Sequence, residues 1–352
     1  MHMADALLSP VVGGTIWAVS AGSIAYCSKK VHRELDDRKI PLMGVLAAFL
    51  FAAQTINFTI PGTGSSGHLG GGLLLTLLLG PHAAFLAIAS VLVVQALFFA
   101  DGGVLALGCN IFNMGFIPAF IVYPFIYRNL RGKKLNQGRL TTAIILSALV
   151  GLQLGSLGVV LETWFSGISA LPFATFLLLM QPIHLAIGAV EGIVTVAVVG
   201  FVYQARPEIL RIATEDLEPG RYPLRGIVVT FFVAALLVGG GLSLFASRNP
   251  DGLEWAIARV AGSSELKAPG GGIHGFLAAL QGRTAVMPDY SFRRPAGLTA
   301  AGLKPGGDRK KEEVERLGTA AAGLAGTLLT LALVFGSGLI LKRRYQPAEL
   351  SS

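Results

Sequence analysis

Long apolar runs, each close to the length that crosses a bilayer, recur along the whole chain. A transmembrane helix needs about 20 mostly apolar residues, because the hydrocarbon core is about 30 Å thick. Only 14% of the residues are charged, against about 25% in a typical soluble domain. The runs are too continuous for barrel strands, which alternate apolar and polar residues. We therefore predict an all-α, polytopic membrane protein that lies in a lipid bilayer.

About nine spans are predicted, and the third has two possible interpretations. The apolar segments are roughly residues 7–26, 41–58, 69–79, 83–100, 104–127, 140–162, 173–204, 226–247 and 318–341. The third is short and runs up to a break at Gly80-Pro81, so it is either a half-span or a tilted helix.

The chain divides into two predicted units. A seven-helix core covers residues 1–212, and a polar, proline-containing linker covers residues 213–225. A two-span unit follows over residues 226–345, with a long loop at 248–317 between its helices. We expect the part of this loop after Val260, especially from Pro288 onward, to be loosely ordered up to a helix that starts at about Glu312.

Basic residues predict the orientation of the spans. Lys and Arg cluster in segments 27–40, 128–139 and 205–225, whereas the short alternate loops contain none. Cytoplasmic loops carry the excess of Lys and Arg, so we expect the amino terminus outside and the carboxyl terminus in the cytoplasm. The net charge of +8 therefore reflects topology, and we expect no nucleic-acid partner.

The opening residues Met1 and His2 form a potential chelator. The first apolar run follows Asp5 and precedes Lys29, the reverse of a signal peptide, so we expect Met1 to be kept. A free amine, the amide nitrogen of His2 and its imidazole Nδ1 can bind one metal together. Such a planar nitrogen set suits Ni(II) or Cu(II). We predict binding of a divalent metal at this end of the chain.

His68 is the candidate for a fourth nitrogen ligand. It lies in the glycine-rich stretch GTGSSGHLGGG, residues 62–72, on the same predicted side of the membrane as Met1. Glycines let a backbone turn tightly and approach a ligand closely. A structural role for His68 remains the alternative. Structural roles are also expected for the remaining histidines, His32, His82, His184 and His274, and no disulfide is expected between Cys27 and Cys109.

Several separated motifs carry a family resemblance. SGHLGG begins at Ser66, LVVQALFFADGG at Leu92, GCNIFNMG at Gly108 and HLAIGAVEGIVT at His184. Together with the opening Met-His they resemble the CbiM/NikM family, the substrate-binding (S) components of energy-coupling factor transporters for cobalt and nickel. Ala100 departs from the pattern, where the family has glycine, and we expect this exchange of small residues to matter little.

The resemblance implies a set of site residues. The metal ligands fall on Met1, His2 and His68. Supporting residues that orient the terminus and the loop fall on four further positions, with interhelical bonding as the alternative: Gln95, Asp101, Asn110 and Asn113. Buried polar side chains of this kind require partners within a bilayer. The resemblance leaves the roles of Glu191 and His274 open.

The resemblance also implies partners. Family members work with a transmembrane coupling protein and two cytoplasmic ATPase subunits. This chain has no GxxxxGK[ST] motif, so we expect a non-enzymatic subunit. It would have no permanent cofactor, with Ni(II) or Co(II) as transported substrate, in a bacterial or archaeal cytoplasmic membrane. Ala48 and Ala52, small residues one turn apart on the second span, are the expected docking face.

The segment from Asn249 to Glu254 contains PDGLE and resembles the NikN-like accessory component of nickel transporters. It also fits a plain turn that leads into a helix. The signature favours nickel uptake, with cobalt uptake for cobalamin synthesis as the first alternative. An ion-coupled secondary metal transporter should show repeats and broken helices, and a metalloenzyme needs a catalytic base. Copurifying ATPase subunits would separate these alternatives.

Overall fold

The computed structural model describes residues 1–34, 39–132, 136–206, 209–210, 224–264, 266–292 and 308–343. Helices occupy all nine predicted apolar segments, so the all-α prediction is confirmed. Within these ranges the structure contains eleven helices longer than a single turn: α1 (Pro10–Glu34), α2 (Lys39–Gln54), α3 (Gly72–Leu79), α4 (Pro81–Phe99), α5 (Leu107–Arg131), α6 (Gln137–Ser166), α7 (Phe173–Ala205), α8 (Arg225–Gly240), α9 (Gly252–Ala261), α10 (Gly272–Thr284) and α11 (Asp308–Arg343).

Seven of these helices are long and apolar enough to cross a bilayer. The exceptions among the nine predicted spans are α2, with 16 residues, and α3, with eight. At 1.5 Å per residue, α3 extends only about 12 Å. The third segment is therefore a half-span, which ends where Gly80 and Pro81 begin α4.

The amino-terminal seven helices form one bundle. The long helices α6 and α7 pack against each other, α5 packs on α6, and α1 lies on α4 and α5. Wide π-type turns run through Phe112–Tyr127, where Pro118 and Pro124 interrupt the normal hydrogen-bonding pattern. Apolar side chains such as Leu178 and Ile193 point outward and are exposed, as expected for a surface that faces lipid.

The two-span unit packs on α2. Helices α8 and α11 lie side by side, and both run along α2. A Cβ at Gly326 would lie 2.0 Å from the Phe51 ring, and one at Gly44 would lie 3.1 Å from Leu331, so the α2–α11 contact is close. Ala48 and Ala52 are completely buried. The chain's own helix α11 packs along α2, so the face on which docking was predicted is covered within this chain, and a docking role of Ala48 and Ala52 stays a prediction.

The loops at one end of the bundle converge. A hairpin of β1 (Phe58–Ile60) and β2 (Ser65–Gly67), which the sequence analysis did not predict, lies beside the PDGLE segment. Ser66 N donates to Pro250 O at 2.8 Å, and Trp255 Nε1 donates to Thr63 O at 3.0 Å. The carboxyl-terminal unit is therefore bonded directly to the hairpin that precedes His68.

The PDGLE loop is more ordered than predicted. Residues Gly272–Thr284 form α10, and Pro288–Tyr290 form a 3-10 turn, so the expectation of loose order is wrong there. Helix α11 begins at Asp308, close to the predicted start at Glu312. The rest of that expectation, at 293–307, and most of the predicted linker, at 213–223, lie outside the described residues.

Candidate metal-binding site

The first residues of the chain are inserted into the protein. Met3 N donates to Asn110 Oδ1 at 2.8 Å, and Gly103 N donates to Met3 O at 2.8 Å. Asp5 Oδ1 accepts from Ala106 N at 2.9 Å. A Cβ at Gly103 would lie 1.8 Å from Asp5 Oδ1, so only glycine permits this approach. Asn110 and the loop after α4 therefore fix the position of the terminus.

His68 presents an unprotonated ring nitrogen to the terminus. Its side chain is only 8% exposed, and Nδ1 lies 3.1 Å from Leu69 O. A carbonyl oxygen only accepts hydrogen bonds, so Nδ1 carries the proton in this contact. The other nitrogen, Nε2, then carries a lone pair, as a metal ligand requires.

Buried polar side chains hold the backbone on the carboxyl side of His68. Glu191 accepts from Gly70 N at 2.6 Å and from Gly71 N at 3.2 Å. Gly71 has a φ of 73°, a left-handed conformation that favours glycine. Gln95 Nε2 donates to Gln54 Oε1, and Gln54 Nε2 donates to Gly70 O. Glu191 thus holds this loop directly, and Gln95 reaches it through Gln54.

The amine of Met1 lies between a histidine and a carboxylate. It is 3.1 Å from His68 Nε2 and 3.1 Å from Asp251 Oδ2, and His68 Nε2 is 3.8 Å from the same oxygen. Burial alone would raise the pKa of Asp251, but the positive charge of the Met1 amine holds it well below its ordinary value. Asp251 is therefore an anion in direct contact with two of the predicted ligand groups.

The start of α9 positions Asp251. Its Oδ1 accepts from Leu253 N and Glu254 N at 2.8 Å each, while Glu254 Oε2 accepts from Asp251 N at 3.0 Å. This reciprocal pair is a capping box. Burial and the neighbouring Asp251 charge raise the pKa of Glu254 to about 7. One carboxylate oxygen of Asp251 thus caps a helix, which leaves the other for the amine.

The His2 imidazole is turned toward a carboxylate. Nδ1 lies 3.2 Å from Asp101 Oδ1, and the ring stacks on His68 with centroids 4.9 Å apart. Tyr290 donates to Asp101 Oδ2 at 2.6 Å. Burial outweighs the attraction of Asp101 and lowers the pKa of His2 to about 4, which keeps the imidazole neutral. The structure therefore gathers Met1, His2 and His68, but not in one coordination plane.

Asn113 and His274 make other contacts. Asn113 Nδ2 donates to Glu162 Oε2 at 2.8 Å, so its bond links α5 to α6 and does not reach the terminus. His274 Nε2 lies 2.8 Å from Leu8 O, where α10 contacts the inserted segment. Of the four predicted supporting residues, Asn110 and Asp101 contact the terminal residues directly.

Sequence analysis missed two residues of the site and gave a third a purely structural role. Asp251 was interpreted as part of a turn, although the PDGLE motif drew attention to it, and nothing marked Tyr290. His184 was assigned a structural role, yet it lines one small cavity together with Met1, His68 and Asp251. Across the described ranges, no three His, Cys, Asp or Glu side chains converge to hold an ion. A metal site here needs backbone nitrogens as well.

Two family models match consecutive parts of the chain. The model for the cobalt uptake substrate-specific transmembrane region, CbiM, matches residues 2–209. The model for the PDGLE domain matches residues 225–343. The first match covers more than half of the chain.

Relatives of both kinds are similar over long stretches. The fused nickel transport protein NikMN of Rhodobacter capsulatus is 31% identical over 313 residues, which cover 83% of this chain and 88% of that protein. The cobalt transport protein CbiM of Clostridium tetani is 30% identical over 227 residues, 62% of this chain and 88% of that protein. A crystal structure of a transition metal transporter aligns with a TM-score of 0.53 at 30% identity, covering 64% of this chain and all of that one. The chain therefore belongs to the CbiM family, with a PDGLE domain joined to it as in the fused NikMN proteins.

Proposed function

We propose that this protein binds and takes up a divalent transition metal, nickel first and cobalt next, as the substrate-binding component of an energy-coupling factor transporter. The observation that carries the proposal is the 3.1 Å contact between the Met1 amine and His68 Nε2 in a buried position. Relatives named as nickel and cobalt transport proteins support the substrate class. The fused PDGLE domain, shared with nickel transport relatives, favours nickel.

The proposed ligand set contains four nitrogens. They are the Met1 amine, the His2 amide, His2 Nδ1 and His68 Nε2. Nitrogen ligands lie about 2.0–2.1 Å from an ion such as zinc, so neighbours in a square plane are about 2.9 Å apart. The observed separation of 3.1 Å between the amine and His68 Nε2 suits adjacent corners. Four planar nitrogens favour Ni(II) over metals that prefer oxygen ligands.

Metal binding then requires two local exchanges. The His2 ring must turn so that Nδ1 leaves Asp101, to which it is 3.2 Å away. The amine must release Asp251 Oδ2. The amine and the His2 amide must each lose a proton to solvent, and the Nδ1 proton of His2 must move to Nε2, since ligand nitrogens bind in the deprotonated form. Both carboxylates remain next to the ion and offset its charge. Asp251 contacts the amine and Tyr290 contacts Asp101, and both residues belong to the loop at 248–317, so these contacts link that loop to loading of the site.

The transport direction and the partners complete the proposal. The distribution of Lys and Arg favours a terminus and a site that open to the outside. ATP hydrolysis would belong to two separate cytoplasmic subunits, joined through a transmembrane coupling protein. Since Ala48 and Ala52 are buried under α11, we propose that the coupling protein docks elsewhere or displaces α11.

Metal titration of the purified full chain tests the binding step. The protein with Met1 as its first residue should bind one Ni(II), and His68→Ala should lose most of this binding while it remains folded. His82→Ala is the matched control, because His82 lies in the first turn of α4 beside Tyr26 and Phe120, whereas Asp101 and its contact with His2 lie beyond the other end of that helix. Equal binding by the His68→Ala variant, measured by calorimetry, would refute the ligand set. Nickel uptake with and without coexpressed ATPase subunits tests the energy source.

A further inference from the structure

His184 is a buried histidine on α7 with no assigned role. Its side chain is completely buried, and it lies 11 residues after Phe173, the first residue of α7. At 1.5 Å per residue this is about 17 Å into the helix. Its ring lines the same cavity as Met1, His68 and Asp251. His184 therefore adds a nitrogen to that cavity from within a spanning helix.

The tautomer of His184 is fixed in the way that metal ligands require. Nδ1 lies 2.8 Å from Met180 O, and because a carbonyl only accepts, Nδ1 carries the proton. Nε2 then carries a lone pair, and it has no hydrogen-bond partner among the described atoms. His68 shows the same arrangement, with Nδ1 on Leu69 O. Metal-binding histidines commonly direct their second nitrogen to such a carbonyl.

The unpartnered nitrogen is costly unless something uses it. A buried acceptor without a partner costs about 1–3 kcal/mol. The PDGLE turn closes over the ring, since a Cβ at Gly252 would lie 3.2 Å from His184 Cε1. The cavity measures about 10 Å³, which is room for about one water-sized particle. A single ion there would face both His68 and His184.

We infer that His184 is a transfer ligand: its Nε2 takes the metal ion in the shared cavity as the ion leaves the planar nitrogen set. This inference rests on the proposed function. Four nitrogens complete a plane without His184, so equilibrium binding does not need it. Departure breaks those bonds in an apolar region, where losing a ligand without replacement is costly. A neutral imidazole inside the span supplies the replacement.

The test compares binding, release and uptake in the full chain with Met1 as its first residue. The variants are His184→Phe, which keeps an aromatic ring without a donor atom, and His184→Gln, which keeps a weaker donor. His82→Phe is the control. We expect the Ni(II) dissociation constant of His184→Phe to stay within about threefold of the native value. Release of Ni(II) to a chelator and uptake with the transporter partners should both fall by about tenfold or more. Release and uptake by the His184→Gln variant should lie between those of the native chain and those of His184→Phe.

Each other result overturns the inference. Native uptake and release in His184→Phe would show that the nitrogen is not used. A parallel loss of affinity and uptake would make His184 part of the equilibrium set or a structural residue. Melting temperatures identify a folding defect, and if His184→Phe does not fold, His184→Gln decides by the same two readouts. Failure of the proposed function is distinct, because His68→Ala would then bind and transport like the native chain.

Discussion

The amino-terminal nitrogen of Met1 and the carboxylate of Asp251 lie 3.1 Å apart, although 250 positions separate them in the chain. Asp251 belongs to the region matched by the PDGLE domain, and Met1 immediately precedes the region matched by CbiM. The contact is nearly enclosed, with side chains 6% and 14% exposed. The carboxyl-terminal domain therefore supplies the counter-charge of the amine that we propose as a metal ligand.

Replacing Asp251 should destabilise the metal-stripped protein in two ways, through the lost ion pair with the Met1 amine and through the lost cap of α9. Asp251→Asn keeps a good helix cap but leaves the buried ammonium without its anion, which should cost about 1–3 kcal/mol. Asp251→Ala also loses the cap of α9 and should cost about 1 kcal/mol more. Thermal unfolding in detergent after chelator treatment measures both. If Asp251→Asn melts at the native temperature, the pair with Met1 contributes nothing to folding.

Much of the fold could be predicted from the sequence because its main determinants are local. Apolar runs of bilayer length specify helices wherever backbone groups must be satisfied internally, and all nine predicted segments are helical. The tight loop around His68 could also be predicted, because its many glycines indicate a backbone that other residues adopt less easily. Gly71, with its positive φ, is one such position.

The contacts made by the PDGLE segment could not be predicted in the same way. The pairs Met1–Asp251 and Asp101–Tyr290 join residues that are 250 and 189 positions apart. Nothing in local periodicity specifies such pairs. The burial of Ala48 under α11 could not be predicted for the same reason. Small residues suit any close helix neighbour, so they do not specify which helix packs on them. The partner is selected by packing across the whole chain.

Glu191 should control metal affinity without touching the metal. It accepts from the amides of Gly70 and Gly71, which follow His68 directly. Glu191→Gln can accept through only one oxygen, so the loop loses a charge-assisted bond, and we expect about tenfold weaker Ni(II) binding. Glu162→Gln is the matched control, because that acid bonds to Asn113 in the helix bundle instead. Calorimetry that finds equal affinities for the two variants would contradict this role of Glu191.

Ala100 should be less favourable than glycine at its position. Its φ of 54° is left-handed, which costs a residue with a Cβ about 1–2 kcal/mol. The resemblance leads us to expect glycine here, and the positive φ shows that the exchange affects backbone energy as well as size. Ala100→Gly should stabilise the fold by about 0.5–1 kcal/mol, after the greater freedom of glycine in the unfolded chain is subtracted. Ala96→Gly, one turn earlier inside α4, should destabilise by a similar amount. Melting temperatures that move in the same direction would refute this account.

The enclosed position of the Met1 amine leaves little room for a residue before Met1. The amine is in contact with both His68 Nε2 and Asp251 Oδ2 at 3.1 Å. One residue added before Met1 converts this amine into a peptide nitrogen, which carries no charge for Asp251 and can bind a metal only after it loses its amide proton, and it moves the free amine away from His68 Nε2. It also places new atoms in a close-packed interior that tolerates little added volume.

A cleavable amino-terminal extension provides the test and its own control. The extended protein should fail to bind Ni(II), and proteolysis that leaves Met1 first should restore one bound ion per chain. Acetylation of the terminus should abolish binding as the extension does, because it removes the lone pair without lengthening the chain by a residue. His2→Ala should match both, since it removes Nδ1. Calorimetry on the uncut and cut forms of one preparation makes the comparison direct. If the uncut form binds with native affinity, the Met1 nitrogen is not a ligand, and the contact with Asp251 serves folding alone.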